Sequence, residues 1–156
     1  MDRLLATFRT IIVPKITRLY SHYAPELWEK QEAAYAYVKN AMGKQLELRP
    51  ALDFGGAFFC VAVKEGVSEK VHIDWNDGLF AFSWVIPVGD WEGGHFCAPQ
   101  LNVNIPIRPG MIFCVMTRTL AHCATQVTKG RRLVFTCFTD KYILKHCDLR
   151  NVVFVG

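Results

Sequence analysis

The chain has 156 residues, 51% of them apolar and 13% aromatic, enough for one packed domain and too rich for a disordered chain. A net charge of +4 is too small to argue for nucleic acid or an acidic surface by itself, and no repeat, like-charge block or Gly/Ser/Pro-rich linker marks an internal boundary. The longest apolar run, Leu79 to Val88, is broken by Ser83 and Pro87 and is far short of the roughly 20 residues a bilayer span needs, so no membrane association is expected.

From the N-terminus, Leu4, Leu5, Phe8, Ile11 and Ile12 recur at three- and four-residue steps, predicting an amphipathic helix that Pro14 interrupts near its end. Asp2, Arg3 and Arg9 break this stretch, which lacks the continuous apolar middle of a secretory signal. A second helix is expected to open at Pro25, a good first-turn residue, and to run through Leu27, Trp28, Ala33, Ala34, Tyr37, Val38 and Met42 to a cap at Gly43.

From Ala51 the pattern changes. Runs rich in Val, Ile, Phe and Thr predict strands over Phe58–Val63, Lys70–Trp75, Phe80–Val88, Leu101–Ile107, Met111–Thr117 and Arg132–Thr139. Turn signals separate them at Lys64-Glu65-Gly66, Asn76-Asp77-Gly78, Gly89-Asp90, Gly93-Gly94, Arg108-Pro109-Gly110 and Lys129-Gly130. Six to eight short strands at this spacing predict an antiparallel sandwich or barrel, and helices first with strands after is an α+β order. The expected organisation is one domain over 1–156: helical support over 1–50, a β core over 51–145 and a C-terminal tail over 146–156. Six cysteines without a C-x-x-C pair read as small buried hydrophobes of a reducing compartment, so an intracellular location, nuclear or cytoplasmic, is expected.

Chemistry concentrates in His72-Ile73-Asp74. On a strand, residues two apart face one side, so an imidazole and a carboxylate project together. His122 follows, and two histidines with one carboxylate are the ligand set of non-haem Fe(II), with half the coordination sphere left open. Beyond it, after Gly130, Arg132 heads an apolar strand, where a guanidinium needs an anion such as a carboxylate held by two parallel bonds.

In the order H-x-D, His, Gly-x-Arg, with the Gly93-Gly94 pair and the Arg108-Pro109-Gly110 turn, the stretch Phe54 to Asp140 resembles the double-stranded β-helix core of the 2-oxoglutarate/Fe(II) dioxygenases, and within them the TET/JBP branch, including its fungal-type members. The resemblance implies a jelly-roll-like core with N-terminal buttressing helices. It implies iron on His72, Asp74 and His122, and 2-oxoglutarate on Arg132, with Arg131 as the alternative, since strand parity lets one of the two face inward. It also implies O2 as co-substrate and Asp77 at the polar edge of a substrate base. The implied reaction couples decarboxylation of 2-oxoglutarate to hydroxylation of a C–H bond, most naturally the methyl of 5-methylcytosine or thymine in nucleic acid. DNA or RNA would then be the partner. The same chemistry on a protein side chain or small molecule, and a catalytically silent binding module, are the alternative readings. Trp75, Trp84 and Trp91 are candidates for stacking on a base, with at least two of them expected in the core.

Overall fold

Pro14 does not end the first helix. In the computed structural model, which describes residues 2–66 and 69–152, with backbone alone from 148 onward, helix continues from Asp2 to Tyr23. It runs as α1 (Asp2–Thr7), a π-helical turn (Phe8–Ile12) and α2 (Val13–Tyr23). Pro14 has no N–H to give to the preceding turn and its ring crowds the carbonyl four residues back. The ladder widens just there, with Val13 N–H bonded to Phe8 O, five residues back.

Helix α3 (Pro25–Leu48) opens at Pro25, as the sequence predicts. It does not stop at Gly43. Met42 departs from helical geometry (φ −130°, ψ 20°) and kinks the helix, which resumes for another turn before a 3-10 turn at Pro50–Leu52. Tyr20 and Trp28 join α2 to α3 with ring centroids 5.9 Å apart. The Tyr35 hydroxyl donates to Asp53 at 2.8 Å, and burial, then that carboxylate, pushes Tyr35 up to about 12. A fourth helix, α4 (Lys141–Val152), packs on α3. Asp140 Oδ1 accepts the Tyr142 N–H at 2.8 Å at its start, so the segment expected as a tail is helical through Val152, and 153–156 lie outside the described residues. No described helix is long and apolar enough to cross a membrane.

Cys60–Thr139 forms one compact unit, and the helical segments before and after it form another. The strand unit is antiparallel throughout. Strands β1 (Cys60–Glu65), β7 (Val127–Phe138), β2 (Ser83–Gly93) and β5 (Phe113–Val115) lie in that spatial order in a four-stranded sheet. The second sheet has β4 (Val103–Ile105), β3 (Phe96–Ala98) and β6 (Cys123–Ala124). Val85, Phe96, Ala98, Ile107 and Val115 fill the core, with Ile105, Phe113, Leu120 and Val134 packed against them. Helices with antiparallel sheets give the expected α+β class.

Three expectations about strands are corrected. Gly89-Asp90 and Lys129-Gly130 are not turns but lie inside the long paired strands β2 and β7. Gly89 and Gly130 adopt φ of 122° and 75°, and a Cβ on either would run into the backbone of the facing strand, so only glycine lets the two strands stay paired there. Pro87 is tolerated within β2 because β5 pairs only with Ser83–Val85, leaving no neighbour strand at Pro87 on that side. Lys70–Trp75 is not a regular strand: it pairs with 122 through a single bridge at His72, and a turn follows at Trp75-Asn76.

Candidate metal centre

His72 and His122 exchange both backbone hydrogen bonds, each 2.9 Å, which brings two residues 50 positions apart (122 − 72) side by side. Asp74 is fixed next to them by its own N–H, which bonds to Thr117 O at 3.0 Å. The His122 segment is held further by Gln100, whose Oε1 accepts the Ala121 N–H at 2.6 Å.

The side chains converge. His72 Nε2 lies 3.5 Å from Asp74 Oδ1 and His122 Nε2 lies 3.6 Å from Asp74 Oδ2. The rings of the two histidines stand 4.5 Å apart, and among the described residues these three form a group that could hold a metal ion, with donor atoms all within 4.8 Å of one another. Distances of 3.5 and 3.6 Å are shorter than twice a metal–ligand bond of about 2.1 Å, so one ion can touch each pair of donors.

The other ring nitrogens decide the tautomer. His72 Nδ1 is 2.8 Å from Lys70 O and His122 Nδ1 is 2.9 Å from Leu120 O. A carbonyl only accepts, so both Nδ1 atoms carry a proton, and both Nε2 atoms are the ones that face the carboxylate. This is the outer-shell arrangement that orients ligating histidines. Phe96 stacks on His122, centroids 5.4 Å apart at 17°, and walls off that ring, which is buried. His72 and Asp74 stay about one-third exposed, leaving the group open on one side.

Strand alternation puts Arg132, Val134 and Thr136 of β7 on the wall of the cavity that contains the triad, about 650 Å³ counting its open mouth. Arg132 is 5% exposed, and its Nη1 donates to Gly94 O. Burial holds its guanidinium below the ordinary arginine value, partly offset by the Glu69 carboxylate. Gly94 (φ 62°) makes the approach possible, because a Cβ there would stand 2.5 Å from Arg132 Nη1. Arg131 points the other way and pairs with Glu65 on the surface. The fold resembles that of a solved TET protein. NgTET1, in complex with 5mC DNA, is similar with a TM-score of 0.51 at 14% sequence identity, over 87% of this chain and 54% of that one. This chain therefore spans about half the length of that protein, and the likeness is one of fold. No protein-family model and no curated protein matches the sequence.

Asp77, expected at the edge of a substrate base, lines an adjoining cleft together with Asp74, Trp75 and Asn76. It is 5% exposed, does not line the cavity that holds the triad, and its Oδ2 accepts from both the Ser83 and the Thr117 hydroxyls. Burial pushes its carboxyl up, against the two hydroxyls, which pull it down. Since Thr117 O also holds the Asp74 N–H, the carboxylate braces the strand end behind a ligand.

A second cleft, about 780 Å³, shares Asp74, Lys64 and Thr136 with the first and is lined also by Trp75 and Asn76. Trp75 is 65% exposed, with the Arg118 guanidinium 4.5 Å from its ring centroid, while Trp84 is buried and Trp91 half-buried. Sequence reasoning did not find Gln100, which holds the His122 segment, nor Phe96, Thr117 and the Lys64–Glu69 ion pair on the cavity wall. Phe96 alone carried a signal, as the first residue of a short apolar run, Phe96-Cys97-Ala98, after Gly93-Gly94.

Proposed function

We propose that the triad cavity is the active site of an Fe(II)- and 2-oxoglutarate-dependent oxygenase, and that the two sheets are the halves of a double-stranded β-helix. The observation that carries this reading is the shared cavity. Two imidazoles with free Nε2 atoms and one carboxylate face it, and the buried Arg132 faces it as well.

His72, Asp74 and His122 would hold the iron on one side, leaving the rest of its coordination sphere to 2-oxoglutarate and O2. Once bound, iron with these co-substrates supplies the oxidising power to hydroxylate a C–H bond, with succinate and CO2 as co-products. Arg132 anchors the far carboxylate of 2-oxoglutarate with charge-assisted bonds. Val85, Ile107 and Val134 line the same cavity and keep water from its middle. Phe96 and Leu120 O fix the His122 ring, and Lys70 O fixes His72.

The substrate class proposed is a methylated pyrimidine of nucleic acid. The fold similarity to a TET protein solved on 5mC DNA supports it, as does the Trp75–Arg118 pair, an exposed aromatic face backed by a cation next to Asp74. Such pairs stack on unstacked bases at about 1–3 kcal/mol per base.

One anaerobic titration tests the centre. Fe(II) plus 2-oxoglutarate added to metal-free protein should give a visible charge-transfer band, absent from Asp74→Ala and His122→Ala. No band in the wild-type protein removes the oxygenase reading. A band with succinate release, but no oxidised base from 5-methylcytosine or thymine oligonucleotides, removes the nucleic-acid substrate alone.

A further inference from the structure

The register of the three-stranded sheet sets Cys97 on β3 directly opposite Cys123 on β6. Two positions along the same ladder, Thr125 N bonds to His95 O at 2.9 Å, so 97 and 123 fall on a hydrogen-bonded pair. Facing Cα atoms at such a pair stand about 5.5 Å apart. A disulfide spans Cα separations of about 4.4–6.8 Å, which this pair meets, and needs Cβ atoms about 3.5–4.5 Å apart, closer than the roughly 5.5 Å of a hydrogen-bonded pair, so closing it draws the two strands together by about 1 Å.

Alternation turns both side chains to the same face, opposite to the Phe96 and Ala124 side chains, and Cys123 also borders the cavity, which Cys97 does not. Both cysteines are free and half-buried. The sulfurs are neighbours: burial, and then the Cys123 thiol, push the Cys97 thiol up. Among the described cysteines no other two face each other across a register. Cys60 sits opposite Phe138, Cys114 and Cys137 lie on either side of Trp84, and Cys147 is on α4.

We propose that Cys97 and Cys123 are a thiol-oxidation site, closed to a disulfide by a hydroperoxide, which ties the segment carrying His122 to β3. One sulfur, as thiolate, attacks the peroxide; an S–O bond forms, the O–O bond breaks and hydroxide leaves to become water. The second thiol then attacks that sulfur, the S–S bond forms and the S–O bond breaks, releasing another water. Two thiols and one hydrogen peroxide thus give one disulfide and two waters, the sulfurs losing the two electrons that the peroxide gains.

The location gives the bond its effect. Cys123 directly follows His122 and Cys97 directly follows Phe96, so the crosslink joins the residues next to both members of the Phe96–His122 stack. Strand β6 has only two residues, and a covalent tie there replaces what two backbone pairs otherwise hold. The inference goes beyond the oxygenase reading and needs no metal.

The full chain, metal-free, is treated with hydrogen peroxide, its remaining thiols are blocked with N-ethylmaleimide, and tryptic peptides are read by mass spectrometry. Trypsin cuts after Arg118 but not at the Arg108–Pro109 bond, so Cys97 shares its peptide with Cys114, and fragmentation of the linked peptide assigns the bond to Cys97 or Cys114. The expected result is a Cys97–Cys123 linked peptide that dithiothreitol removes and that Cys97→Ser lacks, with the other cysteines alkylated. Alkylation of both thiols, or their pairing with other cysteines, overturns the site, and this is read on the wild-type chain whether or not a variant folds. Hydrogen exchange over residues 122–125 should be slower in the oxidised protein, and equal protection in both forms overturns the tether.

Discussion

Asp74 stands between the two histidines with one oxygen for each, Oδ1 3.5 Å from His72 Nε2 and Oδ2 3.6 Å from His122 Nε2. The backbone bridge between 72 and 122 and the Asp74 N–H bond to Thr117 O set this arrangement from outside the ligand atoms. The group is thus assembled by the fold, and the ordering of ligands precedes the ion.

Metal should therefore stabilise the folded chain by mass action without reorganising it. At about 100 times the dissociation constant, Co(II) or Mn(II) adds roughly 2.7 kcal/mol, a rise of several degrees in Tm for a chain of this size. A chelator should return the melt to its starting point, and far-UV circular dichroism should not change on loading. A large gain of secondary structure with metal would show that the bridge does not form alone.

Arg132 and Arg131 should separate cleanly. Arg132→Ala removes a buried cation from the triad's cavity, and a charged hydrogen bond is worth about 1.5–3 kcal/mol, so 2-oxoglutarate binding should weaken by roughly ten- to over a hundredfold. Arg131→Ala removes only a surface partner of Glu65 and should leave that affinity unchanged. Isothermal titration of both variants, loaded with the same metal, measures this. Equal losses would mean that net charge, not position, attracts the co-substrate.

Gly94→Ala reaches the same site through the backbone. The added methyl takes the space of the Arg132 guanidinium, and a non-glycine residue at φ 62° costs about 1–2 kcal/mol. Weaker 2-oxoglutarate binding with unchanged metal affinity is the expected signature, together with a lower Tm. Unchanged co-substrate affinity would mean that Arg132 finds a second productive position.

The order of residues carried the centre better than it carried the strands around it. H-x-D was legible as two side chains facing one side, yet the segment is no regular strand: a single bridge and one N–H bond to Thr117 do what strand parity was expected to do. Arg132 against Arg131 was legible as an alternation and needed the register of β7 to resolve. Gly89 and Gly130 misled because glycine marks turns in sequence, whereas strand pairing here keeps the chain extended through them, and Gly43 follows a kink at Met42 rather than an end of the helix. Helix α4 had a signal in Asp140, a good N-cap before an apolar run, which the strand pattern ending at Thr139 obscured. The Ser83–Asp77–Thr117 cluster had none, since its members are distant in sequence and each is ordinary alone.

That cluster gives a pH-dependent test. Burial raises the Asp77 carboxyl above its ordinary 3.8, so the fold favours the protonated form. Stability from this group is therefore fully present below the unfolded value and is lost as pH rises through the folded one. Two hydroxyls and a carboxylate oxygen make three contacts, one of them the 2.7 Å approach of Ser83 Oγ to Thr117 Oγ1, and only a protonated carboxyl supplies a third proton for them. Asp77→Asn keeps a carbonyl acceptor without the charge. In metal-free protein it should melt no lower than wild type at neutral pH, with the gap in its favour widening as pH rises above about 4. Asp77→Ala leaves both buried hydroxyls without that acceptor and should cost about 1–3 kcal/mol. If Asp77→Asn were as damaging as Asp77→Ala at neutral pH, the ionised carboxylate would be what holds Ser83 and Thr117, and with them the strand end behind Asp74.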